Sequence, residues 1–487
     1  MSLKGWQADY PALSRETARI PYIANLFSCW THSGRRRQGP VTRGSKCYLS
    51  TGKVPDANPI HFSIIQENNS MPEAKNGFVN AKHVERIAAV VADNLPYLAK
   101  SRSGLSQEQL KGKKFGTTYN LYLAPLATVR SGVCAEPESL KEIETPVHTE
   151  NKHMAFELGV WDKDWNIGDF EAEIAVPNGQ SLAANIQKDI VDSTVFCGAQ
   201  AVVGDASFAT LSDAAAALDE VSVTGNIVSF MKPTIQGKIS ATGLAKFLPN
   251  AAQADIYNKN YLGEYAGASQ VELKELPEIV TPDSNGMAAT ITATKDESGN
   301  YFEEIREISG TGIVKGLAYT VEAIDSDSNS LGNVKIVDRA GLATDQDWVV
   351  IAQGKANGSG KAKIPYLRIA IQQEDKDGNL YVPKGESNPN AWVPAGAATF
   401  KLTPILEAST KYVIGQVREE SALVLDFYKF QDLPGSENSV KTVGGVTVKM
   451  SRFGDGKCLN EMVRIDAPYA TALPIARDAV VVYYKKG

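Results

Sequence analysis

Apolar positions along this chain recur with two periods, and the period changes along its length. Val84, Ile87, Ala88, Val91 and Leu95 follow the spacing of one helix face, which predicts a helix over residues 80–100. Asn80 is placed to cap it, and Pro96 ends the periodicity. Tyr119, Leu121 and Leu123 then alternate with other residues, as a strand does, and Val147–Leu158 is a second strand candidate. Residues 134–146 between them are rich in Pro and Glu, so the pair reads as a long two-stranded excursion, with Asp162–Asn166 turning away from it. Leu182, Ile186 and Ile190, flanked by Ala183, Val191 and Val195, mark a helix over 180–203 whose start is punctuated by Asn178-Gly179. Residues 212–221 predict a further helix, capped by Ser212, opened by Asp213 and favoured by four successive alanines. Ile227–Met231, an apolar run before Pro233, suits a buried strand.

After Pro282 helical periodicity disappears. Ala288–Thr294 and Tyr319–Ile324 alternate, and Leu367–Ile371 and Asn379–Pro383 flank the hairpin signal Asp377-Gly378. Short strands at this spacing predict a small β-barrel or sandwich over 283–408, set between segments that read as mixed α and β. Leu423–Phe427, Val443–Met450 and Ala479–Tyr484 read as strands in the closing segment. The last is so apolar that it needs a partner on each side.

A chain of 487 residues that is 43% hydrophobic has room for two or three domains with a sizeable core. No apolar run approaches the ~18 residues of a membrane span, and Met1-Ser-Leu-Lys-Gly-Trp-Gln7 does not lead into a secretory signal. The five cysteines (Cys29, Cys47, Cys134, Cys197, Cys458) are scattered and odd in number, as free thiols of a reducing cytosol would be. Net charge is −6, unevenly spread. Residues 1–70 carry nine Lys/Arg against four Asp/Glu, a net of +5, which leaves the other 417 residues near −11. So acidic a body argues against nucleic-acid binding as the main activity. The basic stretch, with Arg35-Arg36-Arg37, reads either as a disordered arm that meets DNA or a partner, or as an extension upstream of a natural start at Met71.

Catalytic patterns fail on inspection. Gly354–Ala362 imitates a phosphate loop, but the glycine five residues before Gly360 is replaced by Lys355, and Ala362 stands where a Mg²⁺-binding Ser or Thr is needed. Asp325–Asn329 imitates half a calcium loop, with Ser330 in place of the turn glycine and Ile336 in place of the bidentate Glu. A surface turn and a polar hairpin are the better readings. His148 and His153, five apart, fall on opposite faces of a strand with no metal-spaced partners. There is no Gly-x-Ser-x-Gly elbow, and Glu303-Glu304 and Glu419-Glu420 read as solvated faces. No cofactor, metal or catalytic residue is expected.

Five blocks in order carry a resemblance: Val147–Leu158, the helix near 180–203, the Ala-rich helix ending Ala217-Leu-Asp-Glu220, Tyr257–Gly267 and Glu275–Ile279. The order resembles the major coat proteins of tailed double-stranded DNA bacteriophages, in the short-tailed-phage branch with an inserted β-barrel domain. The fold this implies is α+β: an N-arm, an E-loop, a spine helix, peripheral and axial domains, and an all-β insertion. On that resemblance residues 1–78 form a basic extension, and 79–110 the arm. Residues 111–175 form the E-loop and peripheral strands, and 176–282 the spine helix and first part of the axial domain. Residues 283–408 would be the insertion, and 409–487 the remainder of the axial and peripheral domains. The implied role is assembly into an icosahedral shell, in the virion, built in the host cytoplasm. The implied partners are other copies in pentamers and hexamers, a scaffolding protein, a portal, a decoration protein, and packaged DNA held without sequence preference; no membrane is implied. Gly112 and Gly116 supply flexibility at the base of the E-loop. Lys113 and Lys114 are candidates for intersubunit ion pairs, or else a solvated pair.

Three other readings remain open at this point. An encapsulin-like shell shares the fold, but the length and insertion count against it. A secreted carbohydrate-active enzyme lacks its signal and carboxylate pattern here. A tail or adhesin protein would show more β repeats and less Ala-rich helix.

Overall fold

The last described strand lies deep in the molecule. Ala479–Lys485 (β25) lies between an antiparallel partner, Lys411–Glu419 (β20), and a parallel one, Gln200–Gly204 (β3). Six of its residues are buried, because both faces and both edges are covered. The sheet continues from β20 to Ile227–Met231 (β4), then to Ala268–Glu272 (β6) and Glu264–Tyr265 (β5), while Glu278–Val280 (β7) pairs with the start of β20. The computed structural model describes residues 81–104, 118–123, 143–159, 172, 175–221, 223, 225–241, 264–265, 267–339, 343–374, 380–381, 389–429, 432, 435–455 and 460–486.

A second, six-stranded sheet runs Thr118–Leu123 (β1), Ile143–Gly159 (β2), Asn460–Ala472 (β24), Val446–Asp455 (β23), Glu437–Val443 (β22), with Val424–Phe427 (β21) also on β24. β2 is 17 residues long, and only its second part belongs to the packed sheet. From His148 to Gly159 it pairs with β24; from Ile143 to His148 it pairs with β1. Ile143–Val147 therefore bonds to β1 alone, the two-stranded excursion that the alternating residues predict.

Helix Ala81–Asp93 (α1) buries Val84, Ile87, Ala88 and Val91, the residues that predicted it. It ends earlier than expected. Asn94 folds its side chain back onto the Val90 carbonyl at 2.8 Å, and Pro96 opens a short second helix, Pro96–Ala99 (α2), at the position where a missing N–H costs nothing. The main helix is Val176–Thr194 (α3), not 180–203. Asn178-Gly179 lies inside its first turn, and residues 200–203 belong to β3, because that run pairs with β25. The next helix, Phe208–Glu220 (α4), is capped by Ser207, whose hydroxyl accepts from the Thr210 amide at 3.3 Å; Ser212 lies within it. Pro233–Ala241 (α5) follows β4.

Between Pro282 and Ser409 the regular elements among the described residues are strands: Ile305–Ser309 (β8), Ala318–Ile324 (β9), Ser330–Asn333 (β10), Lys335–Val337 (β11), Ala343–Asp347 (β12), Val349–Ile351 (β13), Lys361–Leu367 (β14), Ile369–Ile371 (β15), Gln373–Glu374 (β16), Leu380–Tyr381 (β17), Ala391–Val393 (β18) and Thr399–Pro404 (β19). Among the described residues these pair only with one another. β16 and β17 flank the expected Asp377-Gly378 turn, itself outside the described residues. Ala288–Thr294 is not a strand; a single bridge, Thr290 to Ser309, is all the pairing it makes. Val443–Met450 is not one strand either, since Gly444 and Gly445, at φ 56° and 86°, turn it into the β22–β23 hairpin.

The described residues belong to one compact unit, and one apolar cluster runs from Val84 through Phe196, Leu317 and Trp348 to Tyr484.

Candidate assembly surfaces

α3 lies beside the packed half of β2. Between them is a groove of 520 Å³ lined by Asn151, Lys152, Asn185, Lys188, Asp189 and Asp192 among others. Its polar side chains are held by half-buried pairs. The Tyr469 hydroxyl donates to Asp189, and burial together with that carboxylate pushes the phenol well above its usual range. Lys152 lies 3.4 Å from the other oxygen of Asp189. Asn151 donates to Asp466 at 2.8 Å, and Arg464 clamps Asp466 at 2.9 and 3.0 Å. A wall carrying both signs, with Met154 and Leu182 between the charges, suits a protein segment better than a small organic ligand.

One buried arginine ties α2 and the residues after it to the seven-stranded sheet. Arg418 is fully buried and donates to the carbonyls of Glu419 (3.2 Å), Glu420 (3.1 Å) and Lys100 (2.9 Å). Its guanidinium also sits over the rings of Tyr97 and Phe230, 5.2 and 4.9 Å from their centroids. Burial pulls its pKa down to about 10, which leaves it charged at neutral pH. The Tyr97 hydroxyl donates to Gln416 (3.3 Å), and Gln416 donates to the Thr194 carbonyl at the end of α3 (3.0 Å). Arg102 exchanges backbone bonds with Leu423 and Leu425 at 2.9 and 3.1 Å. No sequence period marks Arg418 or Gln416; their role comes from where β20 passes α2.

A second buried polar group joins the 305–404 strands to the rest. Arg339 pairs with Glu419 and, at 3.1 Å, with Asp478. In return Arg477 donates to the carbonyls of Val337 and Asp338, at 3.2 and 2.7 Å. Glu419 is only 6% exposed, which corrects the expectation that Glu419-Glu420 is a solvated pair. Burial raises the pKa of Asp478, and the two arginines offset part of that rise. Further ties are Val349 N to Ala199 O (2.8 Å), Lys315 Nζ to Asp192 O (2.5 Å) and Tyr483 OH to Gly316 O (2.9 Å).

Gly112, Lys113, Lys114 and Gly116 lie outside the described residues, as do Cys29, Cys47, Cys134 and Cys458. Cys197 is a free thiol whose pKa burial pushes up to about 12, so it is a poor nucleophile at neutral pH. His153 is exposed on β2. Asp325 accepts from Asp327 and Asn329 in the β9–β10 turn, as the polar-hairpin reading expects. Among the described residues no group of three or more His, Cys, Asp or Glu could hold a metal. No described helix is long and apolar enough to cross a membrane.

No family model matches this chain, and no curated protein does. Solved structures do. The capsid structure of cyanophage P-SCSP1u is 10% identical over 80% of this chain and 86% of that one, with a TM-score of 0.38. The head structure of Helicobacter pylori bacteriophage KHP40 is 11% identical over 88% and 99%, with a TM-score of 0.36. The structure of Mycobacterium phage Che8 is 9% identical over 78% and 92%, with a TM-score of 0.34.

Proposed function

We propose that this chain is a major coat subunit, whose copies assemble into the icosahedral shell around a phage genome. The observation that carries the reading is the excursion of β2. Five residues of a 17-residue strand leave the packed sheet and bond to β1 alone. Val147 and Leu121 pack against Val424 and Ala470, and among the described residues the other edge of Ile143–Val147 carries no strand, so a neighbouring chain can add one there. The α3 helix beside the packed half of β2 fits the spine helix, and α1 with α2 fits an arm.

In the same reading, residues 283–408 are an inserted β-domain. Its support is that the chain leaves and returns side by side: Thr281 N bonds to Thr410 O at 3.0 Å and Ser409 N to Pro282 O at 2.9 Å. Scaffolding, portal and decoration proteins belong to this reading as expected partners, and the role is structural. The ion-pairing assigned to Lys113 and Lys114 is likewise a proposal.

The test is electron microscopy of the chain expressed alone and with its neighbouring genes. Closed shells or tubes tens of nanometres across are expected. A monodisperse monomer or small oligomer under both conditions overturns the reading.

A further inference from the structure

One end of the seven-stranded sheet carries more positive charge than it balances. Lys411 opens β20, Lys486 follows β25, Lys232 follows β4, and all three converge on the single carboxylate of Glu278, at 2.8, 3.0 and 3.1 Å. Three ammonium groups hold that carboxylate down to a pKa of about 2. Lys411 and Lys486 keep 45% and 43% of their side-chain surface exposed, and the neighbouring Val280 is 61% exposed. The corner therefore presents uncompensated positive charge beside bare apolar surface.

The opposite imbalance stands at the end of α4. Asp219 and Glu220 occupy its last turn, both exposed, with no basic residue in that turn. Among the described residues neither takes part in an ion pair. Carboxylates at the negative end of a helix are locally unfavourable, by about 0.3–1 kcal/mol each. The chain from Glu220 then reaches Ile227, which pairs with Glu419 at the far end of β20 from Lys411. The helix end is unfavourable within one copy, the corner carries more lysines than carboxylates, and each supplies what the other lacks. Local choices that conflict with the fold of one chain mark contacts made elsewhere.

We propose that the Lys411–Lys486 corner of one copy seats the Asp219–Glu220 helix end of the next, a head-to-tail contact of the kind that closes rings. This rests on the shell reading above. The corner and the helix end lie on different parts of the surface, so one copy uses both at once, each with a different neighbour.

The experiment is a charge swap in the full chain, read by light scattering and electron microscopy. Lys486→Glu leaves Glu278 with Lys232 and Lys411 and should melt slightly lower than the wild type, while Asp219→Lys with Glu220→Lys changes only exposed groups and should melt slightly higher, so both variants stay folded. Each variant alone is expected to raise the concentration needed for assembly by about tenfold or more, since like charges then face each other. The chain carrying all three substitutions is expected to recover most of the loss. A wild type that assembles while either variant assembles equally well, or a combined variant no better than the singles, overturns the contact. A wild type that forms no particle overturns the shell reading, and the contact with it.

Discussion

Glu278 illustrates how charge is placed at single residues. Its pKa of about 2 lies below the ordinary carboxylate value near 4.5 because three lysines donate to it. A depressed carboxylate stabilises the fold fully above its unfolded value. That contribution is lost as pH falls through the window between 4.5 and about 2. Urea midpoints followed from pH 6 to pH 2 should therefore drop less steeply for Glu278→Gln than for the wild type. Gly179 sets two effects against each other. An alanine would favour the helix by about 1 kcal/mol, but its Cβ would fall 2.8 Å from Val90 Cγ1, and overpacking costs about 1–3 kcal/mol. Gly179→Ala should be net destabilising in denaturant melts, and adding Val90→Ala should recover part of the loss. In the sequence Gly179 reads as a helix boundary, because the helix that presses on it comes from about ninety residues earlier.

At the scale of elements, the cross-ties decide more than propensity does. Truncating Arg418 strands three carbonyls that it serves and removes two ring contacts; Arg418→Met should lower stability by roughly 3 kcal/mol. Arg418→Lys should rescue little, since a single ammonium cannot reach in three fixed directions as a guanidinium does. The β22–β23 turn needs left-handed backbone at both Gly444 and Gly445, so replacing both with alanine should cost about 2–4 kcal/mol by the same melts. α1, the excursion and β9 were legible because each follows one clean period, and β25 because it is one unbroken apolar run. The turn at Gly444-Gly445 was hidden inside a run of strand formers. The end of α3 was hidden because Gln200–Val203 continues an apolar face while pairing in register with β25. The groove along α3 and the Arg339 clamp had no local signal, since their residues meet across 139 or more positions of chain in the cases of Arg339 with Asp478 and Asn151 with Asp466.

At the scale of the whole described region, one apolar cluster links α1 and α2, both sheets and the 305–404 strands. Calorimetry of the unassembled chain should accordingly show one cooperative transition for the described region, with no separate unfolding of residues 283–408. Arg339→Met leaves Glu419 and Asp478 with less compensation and should lower that transition by about 2 kcal/mol of stability without splitting it. A second, independent transition would show that the clamp and the shared core do not couple the two parts. The order of segments was readable from the sequence. Their fusion was not, because it depends on contacts such as Tyr483 with Gly316, which no period reveals.

Thr281 and Thr410, bonded backbone to backbone, are a doorway only two strands wide. Whatever passes through such a doorway can grow longer or shorter without moving the frame. Yet the 126 residues now beyond it have become furniture built into the wall: Trp348 and Leu317 fill the same interior as Phe196 and Tyr483. Cutting at the doorway would close the chain neatly and still leave that wall bare. The tolerant place for added sequence is therefore an outer turn such as Asp325–Asn329, whose side chains bond only within the turn.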